Sequence, residues 1–203
     1  NVAGRDLRSV VNEIRTTVDE NINLPEGYRV EYGGQFESEE RATRMLLITS
    51  IGAILLIFLL LYMEFNNLGL AAIVLMNLPL ALIGGVFIVY FTTGIISIAS
   101  TIGFISLFGI AARNGILLVS RYQVLQEEGL NLRDTIIEGS LDRLNPILMT
   151  ALTTGLALIP LALAGEQAGN EIQSPMAIVI LGGLMSSTFL NLAVIPAIYK
   201  WRG

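Results

Sequence analysis

Residues 95–120 read IISIASTIGFISLFGIAARNGILLVS and carry a single charge, Arg113. A helix of about 20 apolar residues crosses the roughly 30 Å of hydrocarbon in a bilayer. This stretch is long enough and apolar enough to do so. Four more stretches have the same character, at 45–63, 68–91, 146–165 and 174–199, and none of them holds an Asp, Glu, Lys or Arg. Nearly every charge of the chain is thus confined to the segments between and before the five. That segregation predicts a mainly α, polytopic membrane protein with five transmembrane helices.

The whole composition agrees. The 203 residues are 53% hydrophobic and 14% charged, with a mean hydropathy of +0.67. Soluble domains carry about 25% charged residues, and disordered chains are far less apolar. There is no Cys and no His. Disulfides, thiol nucleophiles and the commonest metal ligand and general base are therefore excluded, and no catalytic constellation remains. The expectation is no enzyme and no cofactor. The net charge of −5 speaks against a nucleic-acid partner.

The loops set the orientation. Residues 121–145 carry Arg121, Arg133 and Arg143, and the tail carries Lys200 and Arg202. The opposite loops, 92–94 and 165–173, carry no Lys or Arg. Positive-inside bias places the tail and 121–145 in the cytoplasm and the N-terminus outside. Residues 130–144 have Leu132, Ile136, Ile137, Leu141 and Leu144 at helical spacing, which predicts an amphipathic helix on the cytoplasmic membrane face.

Residues 1–35 read differently. Leu7, Val10, Val11, Ile14 and Val18 follow a helical period, with Asp6 as its cap. Leu24-Pro25-Glu26-Gly27 is a turn signal, and Tyr28–Tyr32 alternates as a strand does. One helix and one strand enclose no core. With Asn1 as the first residue and a polar lead, the chain is expected to be the C-terminal part of a longer polypeptide. Residues 36–203 form the expected transmembrane domain, a charged helix leading into the first span.

Arg113 is the most informative residue. It sits roughly 7 Å to the cytoplasmic side of the middle of its span. A charge at that depth faces protein, a partner charge or water, or snorkels to the headgroups. Ser106, Gly109, Arg113 and Ser120 share a narrow helical arc, and small and polar residues beside the only charge favour packing against protein. None of the five spans contains an acidic partner. Arg stays protonated, so its role is to hold a carboxylate supplied from elsewhere and lower that carboxylate's pKa.

Other candidates keep two readings. Thr150, Thr153 and Thr154 make a hydroxyl stripe, either lining a proton path or bonding their own helix. Gly183, Ser187 and Asn191 share a face that suits close helix packing. Asn77 and Pro79 suggest a kink or an interhelical bond, and Pro160 and Pro196 the same. The six Met residues form no evident cluster, so no metal site is assigned.

Gly103–Val119 and Asn145–Thr154 resemble the C-terminal end of a pump of the resistance-nodulation-division (RND) superfamily. Gly169–Ala177, Gly4–Leu7, Leu24–Tyr28 and Tyr32–Phe36 resemble its heavy-metal efflux branch in particular. The resemblance implies that the spans are the eighth to twelfth of twelve, preceded by the α/β end of a periplasmic porter subdomain. It implies a bacterial inner-membrane homotrimer that exports metal cations by proton antiport, working with a periplasmic adaptor and an outer-membrane channel. It further implies that Arg113 pairs with acidic residues on a fourth span in the missing N-terminal half. Thr150 and Arg143 join the proton relay, with Asn114, Thr153 and Thr154 as lining candidates. Drug-exporting relatives carry Lys at the position of Arg113, and some copper and silver pumps carry Glu, which favours a divalent cation here. The alternatives are an organic cargo with the same relay, or a transport-inactive membrane scaffold.

Overall fold

The computed structural model describes residues 7–22, 25, 27, 28, 30, 32, 35–165, 167 and 169–202. Among the described residues seven helices follow one another: α1 (Leu7–Asn21), α2 (Gln35–Phe65), α3 (Leu68–Leu75), α4 (Asn77–Thr92), α5 (Ile98–Glu127), α6 (Leu132–Leu163) and α7 (Gln173–Arg202). Five segments among the described residues, 40–65, 68–92, 98–127, 132–163 and 173–201, are long and apolar enough to cross a membrane. The mainly α, five-span architecture is therefore the one the hydropathy pattern predicts.

The chain divides into two compact units, Asn1–Ile48 and Thr49–Gly203. In the first, α1 keeps Val10, Val11 and Val18 only half-buried and Ile14 exposed. The Tyr28 N–H donates to the Pro25 carbonyl at 3.1 Å, closing the predicted turn, with Gly27 at φ +94°. The predicted strand is not formed at Tyr28, Val30 or Tyr32, the members of that stretch among the described residues. A lone strand has no neighbour to take its N–H and C=O groups. Asp6, the predicted cap of α1, lies outside the described residues.

In the second unit α4, α5 and α7 pack on one another and hold most of the buried side chains. One cluster joins Leu61 and Phe65 of α2 with Val74, Leu118, Tyr122, Ile195 and Tyr199. Another joins Leu78 and Ala81 to Leu107, Phe108 and Ala111. The second apolar stretch breaks where Asn77 and Pro79 announced it. Met76 separates α3 from α4, and Pro79 has no N–H to offer the Leu75 carbonyl. Asn77 Nδ2 instead donates across to the Ala111 carbonyl at 2.7 Å.

Gly129 ends α5 at φ +93°. The Leu130 N–H reaches the Leu125 carbonyl and the Gly129 N–H reaches that of Gln126, the paired bonds of a left-handed helix stop. Asn131 then caps α6, accepting from the Asp134 N–H at 2.9 Å. The expected separate amphipathic helix at 130–144 is corrected here. It and the fourth apolar stretch form one continuous helix, with Pro146 and Pro160 inside it. Thr135, Gly139 and Ile147 of α6 are buried at fourfold spacings, so a single packed face runs through Pro146. That packing outweighs the one backbone bond the proline forfeits.

Candidate functional site

Ser97 starts α5 by accepting from the Ser100 N–H at 3.1 Å, and the helix runs unbroken past Arg113. Ala111, Ala112, Asn114 and Gly115 are buried, whereas Ser106, Gly109 and Arg113 are exposed. Space for a Cβ at Gly109 is open to at least 4 Å. The small, polar, charged face of α5 thus looks away from the packed helices. Ser106 gives its hydroxyl proton to the Ile102 carbonyl at 3.0 Å of its own helix. Ser120, on the same arc, is half-buried, and its Oγ has no hydrogen-bond partner among the described residues. No ion pair involves Arg113 among the described residues.

Helix α6 carries the second set. Its antiparallel register with α5 is fixed by Tyr122 against Ser140, at 2.6 Å between hydroxyls, and by Arg121 Nε donating to Asp142 at 2.8 Å. Carried along both helices, that register sets Arg113 and Thr150 at one depth. Thr150 donates to the Pro146 carbonyl at 2.8 Å and Thr153 to that of Met149 at 2.8 Å. Their protons are spent on their own helix, which leaves each oxygen as an acceptor. Such an oxygen can receive from a guanidinium or a protonated carrier but does not itself donate.

Arg143 lies two turns before Thr150 on the same face of α6. It is half-buried, and its Nε has no hydrogen-bond partner among the described residues. Thr154 is half-buried and Thr153 exposed. No hydrogen bond among the described residues links Arg113 with Thr150 or Arg143. Asn114 is 1% exposed and faces the interior, away from its neighbour Arg113.

On α7 the three small and polar residues are buried. A Cβ on Gly183 would run into the Leu107 side chain. Ser187 donates to the Leu184 carbonyl at 3.2 Å, and Asn191 is fully buried. The sequence reading missed a closer approach, between α4 and α7. A Cβ on Gly84 would collide with Ser186 and the Gly182 carbonyl, and one on Gly182 would lie 2.7 Å from the Gly84 carbonyl. Paired glycines at 84–85 and 182–183 were the available signal. No group of three or more acidic side chains able to hold a metal occurs among the described residues.

Residues 1–201 match the sequence profile of the AcrB/AcrD/AcrF family. The chain is similar to protein HelA of Legionella pneumophila, 42% identical over 200 residues, which are 98% of this chain and 19% of HelA. It is 40% identical to the cobalt-zinc-cadmium resistance protein CzcA of Cupriavidus metallidurans, again over 98% of this chain and 19% of the relative. A crystal structure of a heavy metal efflux pump superposes with a TM-score of 0.87 at 36% identity, covering 99% of this chain and 20% of that one. The chain therefore spans about one fifth of the length of the relatives it matches.

Proposed function

The chain belongs to the AcrB/AcrD/AcrF family, and from that premise we propose that it forms part of a proton-driven exporter of heavy-metal cations. The observation that carries this reading is Arg113, a charge exposed on the small-residue face of a membrane-spanning helix without an ion-pair partner among the described residues. A fixed cation in hydrocarbon is expensive unless a counter-charge or water meets it. The face around it, Ser106 and Gly109, has no bulk that keeps another helix away.

The mechanism follows from the charges. A carboxylate from the remainder of the protein docks on this face and pairs with Arg113. The guanidinium stabilises its ionised form. When a proton arrives, the carboxyl is neutral, the pair weakens and the helices on the two sides separate. When the proton leaves, the pair re-forms. The guanidinium acts as a fixed cation and sets the affinity of its partner for the proton. Thr150, at the depth of Arg113, and Arg143 below it supply an acceptor oxygen and a second cation along the path. Asn114, Thr153 and Thr154 flank it.

The cargo is read from the relatives, two of which carry metal efflux or metal resistance in their names or titles. In this reading the protein sits in a bacterial inner membrane as a homotrimer, with its tail cytoplasmic and 1–35 periplasmic. It couples to an adaptor and an outer-membrane channel.

The test uses the intact protein that contains this chain, in liposomes holding a pH-sensitive dye. Zn²⁺, Co²⁺, Cd²⁺ or Cu⁺ is added with and without Arg113→Met. Proton movement that depends on a metal and disappears in the variant supports the reading. Movement that survives Arg113→Met removes Arg113 from the relay. If no metal moves protons but an organic cation does, the cargo assignment is wrong.

A further inference from the structure

Three asparagines on three helices lie at one depth. The register of each helix pair shows it. Helices α5 and α7 run parallel: Gly103 meets Val179, Leu107 meets Gly183, and the rings of Tyr122 and Tyr199 are 4.8 Å apart. The same offset puts Asn114 level with Asn191. Helices α4 and α7 run antiparallel through Gly84, Gly182 and Ser186, which puts Asn77 level with Asn191 as well. Asn77 in turn donates to Ala111, one turn before Asn114.

All three are buried, Asn77 and Asn114 to 1% exposure and Asn191 to 0%. Four of their side-chain polar atoms have no hydrogen-bond partner among the described residues: Asn77 Oδ1, Asn114 Nδ2, and both Oδ1 and Nδ2 of Asn191. The orientation of Asn77 is not arbitrary, because only its nitrogen can serve the Ala111 carbonyl. Unpaired amide atoms in a dry interior are costly, and four of them on three side chains at one level need a common explanation.

We propose that Asn77, Asn114 and Asn191 form a water-binding site inside the α4–α5–α7 bundle. Two arguments select water. The free atoms are mixed, two acceptor oxygens and two donor nitrogens. A cation would be repelled by the N–H groups and an anion by the oxygens, whereas water offers two donors and two acceptors. The site is also closed by this chain's own helices, so no side chain from the rest of the protein reaches it. The bound water joins three helices at the depth of Arg113 and holds the rotation of α5 that turns Arg113 outward. This assignment stands independently of the cargo and of proton coupling.

The test is a density map of the intact protein in lipid nanodiscs, at a resolution that shows ordered water, for the wild type and for Asn191→Leu. The expected result is a peak within about 3 Å of at least three of the four amide atoms, absent in the leucine variant. Direct amide-to-amide hydrogen bonds with no peak between them overturn the proposal, and so does a peak unchanged in Asn191→Leu. If the variant does not assemble, the wild-type map alone decides between these outcomes.

Discussion

The hydroxyl of Tyr122 lies 2.6 Å from that of Ser140, and the Tyr122 ring covers Gly139, where a Cβ would sit 2.6 Å from Cδ1. One side chain thus fixes both the distance and the register between α5 and α6. That register sets Arg113 at the depth of Thr150.

Tyr122 is fully buried, so its two contributions separate by substitution. Tyr122→Phe removes the hydroxyl bond alone and lowers stability by about 0.5–1.5 kcal/mol. Tyr122→Ala removes the ring as well and costs about 3–5 kcal/mol. Thermal melting of the purified intact protein orders them as wild type, Phe, then Ala. Equal melting of Phe and Ala would refute the packing role of the ring.

The α4–α7 contact predicts a contrast between glycines. Gly182→Ala places a methyl 2.7 Å from the Gly84 carbonyl, which forces the helices apart at about 1–3 kcal/mol. Gly52→Ala, on α2, meets nothing of this chain within 4 Å and is neutral or stabilising, since alanine favours helix by about 0.5–1 kcal/mol over glycine. A lower melting temperature for the first variant and an equal or higher one for the second is the expected pair.

The ion pair between Arg121 and Asp142 spans 2.8 Å, but its side chains keep 28% and 48% of their exposure. Water screens such a pair, so Arg121→Gln costs less than about 1 kcal/mol. A melting shift that is small and vanishes in high salt confirms this. A large, salt-independent loss would mean the pair is enclosed by other parts of the intact protein.

At Arg113, charge and shape are separable. Arg113→Lys keeps the cation and loses the forked geometry, so metal-dependent proton flux falls by no more than roughly tenfold. On the proposed pairing, Arg113→Met leaves a carboxylate unpaired at about 3–5 kcal/mol, an expected loss of more than about a hundredfold. Stopped-flow dye measurements in liposomes read both. Equal flux in Lys and Met variants would show that the positive charge is not used.

Thr150 gives its proton to Pro146 at 2.8 Å, so Thr150→Val disturbs stability little, within about 0.5 kcal/mol. It nevertheless removes the acceptor oxygen at the depth of Arg113. The expected outcome is unchanged melting with reduced flux, restored by Thr150→Ser. Full flux in Thr150→Val would leave the hydroxyl as a helix-internal group only.

The sequence by itself determined the five spans, because hydrocarbon selects on local composition and the length of each apolar run is set by bilayer thickness. It also determined that Arg113 stands alone among those spans, and it announced the break at Asn77 and Pro79. The tertiary structure alone decided which face of each helix meets another. Inside a membrane the lipid is as apolar as a helix interface, so hydrophobic periodicity does not mark the buried side. The contact between Gly84 and Gly182, the outward turn of Arg113 beside the inward turn of Asn114, and the common depth of Asn77, Asn114 and Asn191 all follow from steric fit between distant segments. The continuity of α6 through Pro146 has the same origin, since it rests on Thr135, Gly139 and Ile147 finding partners that no local pattern names.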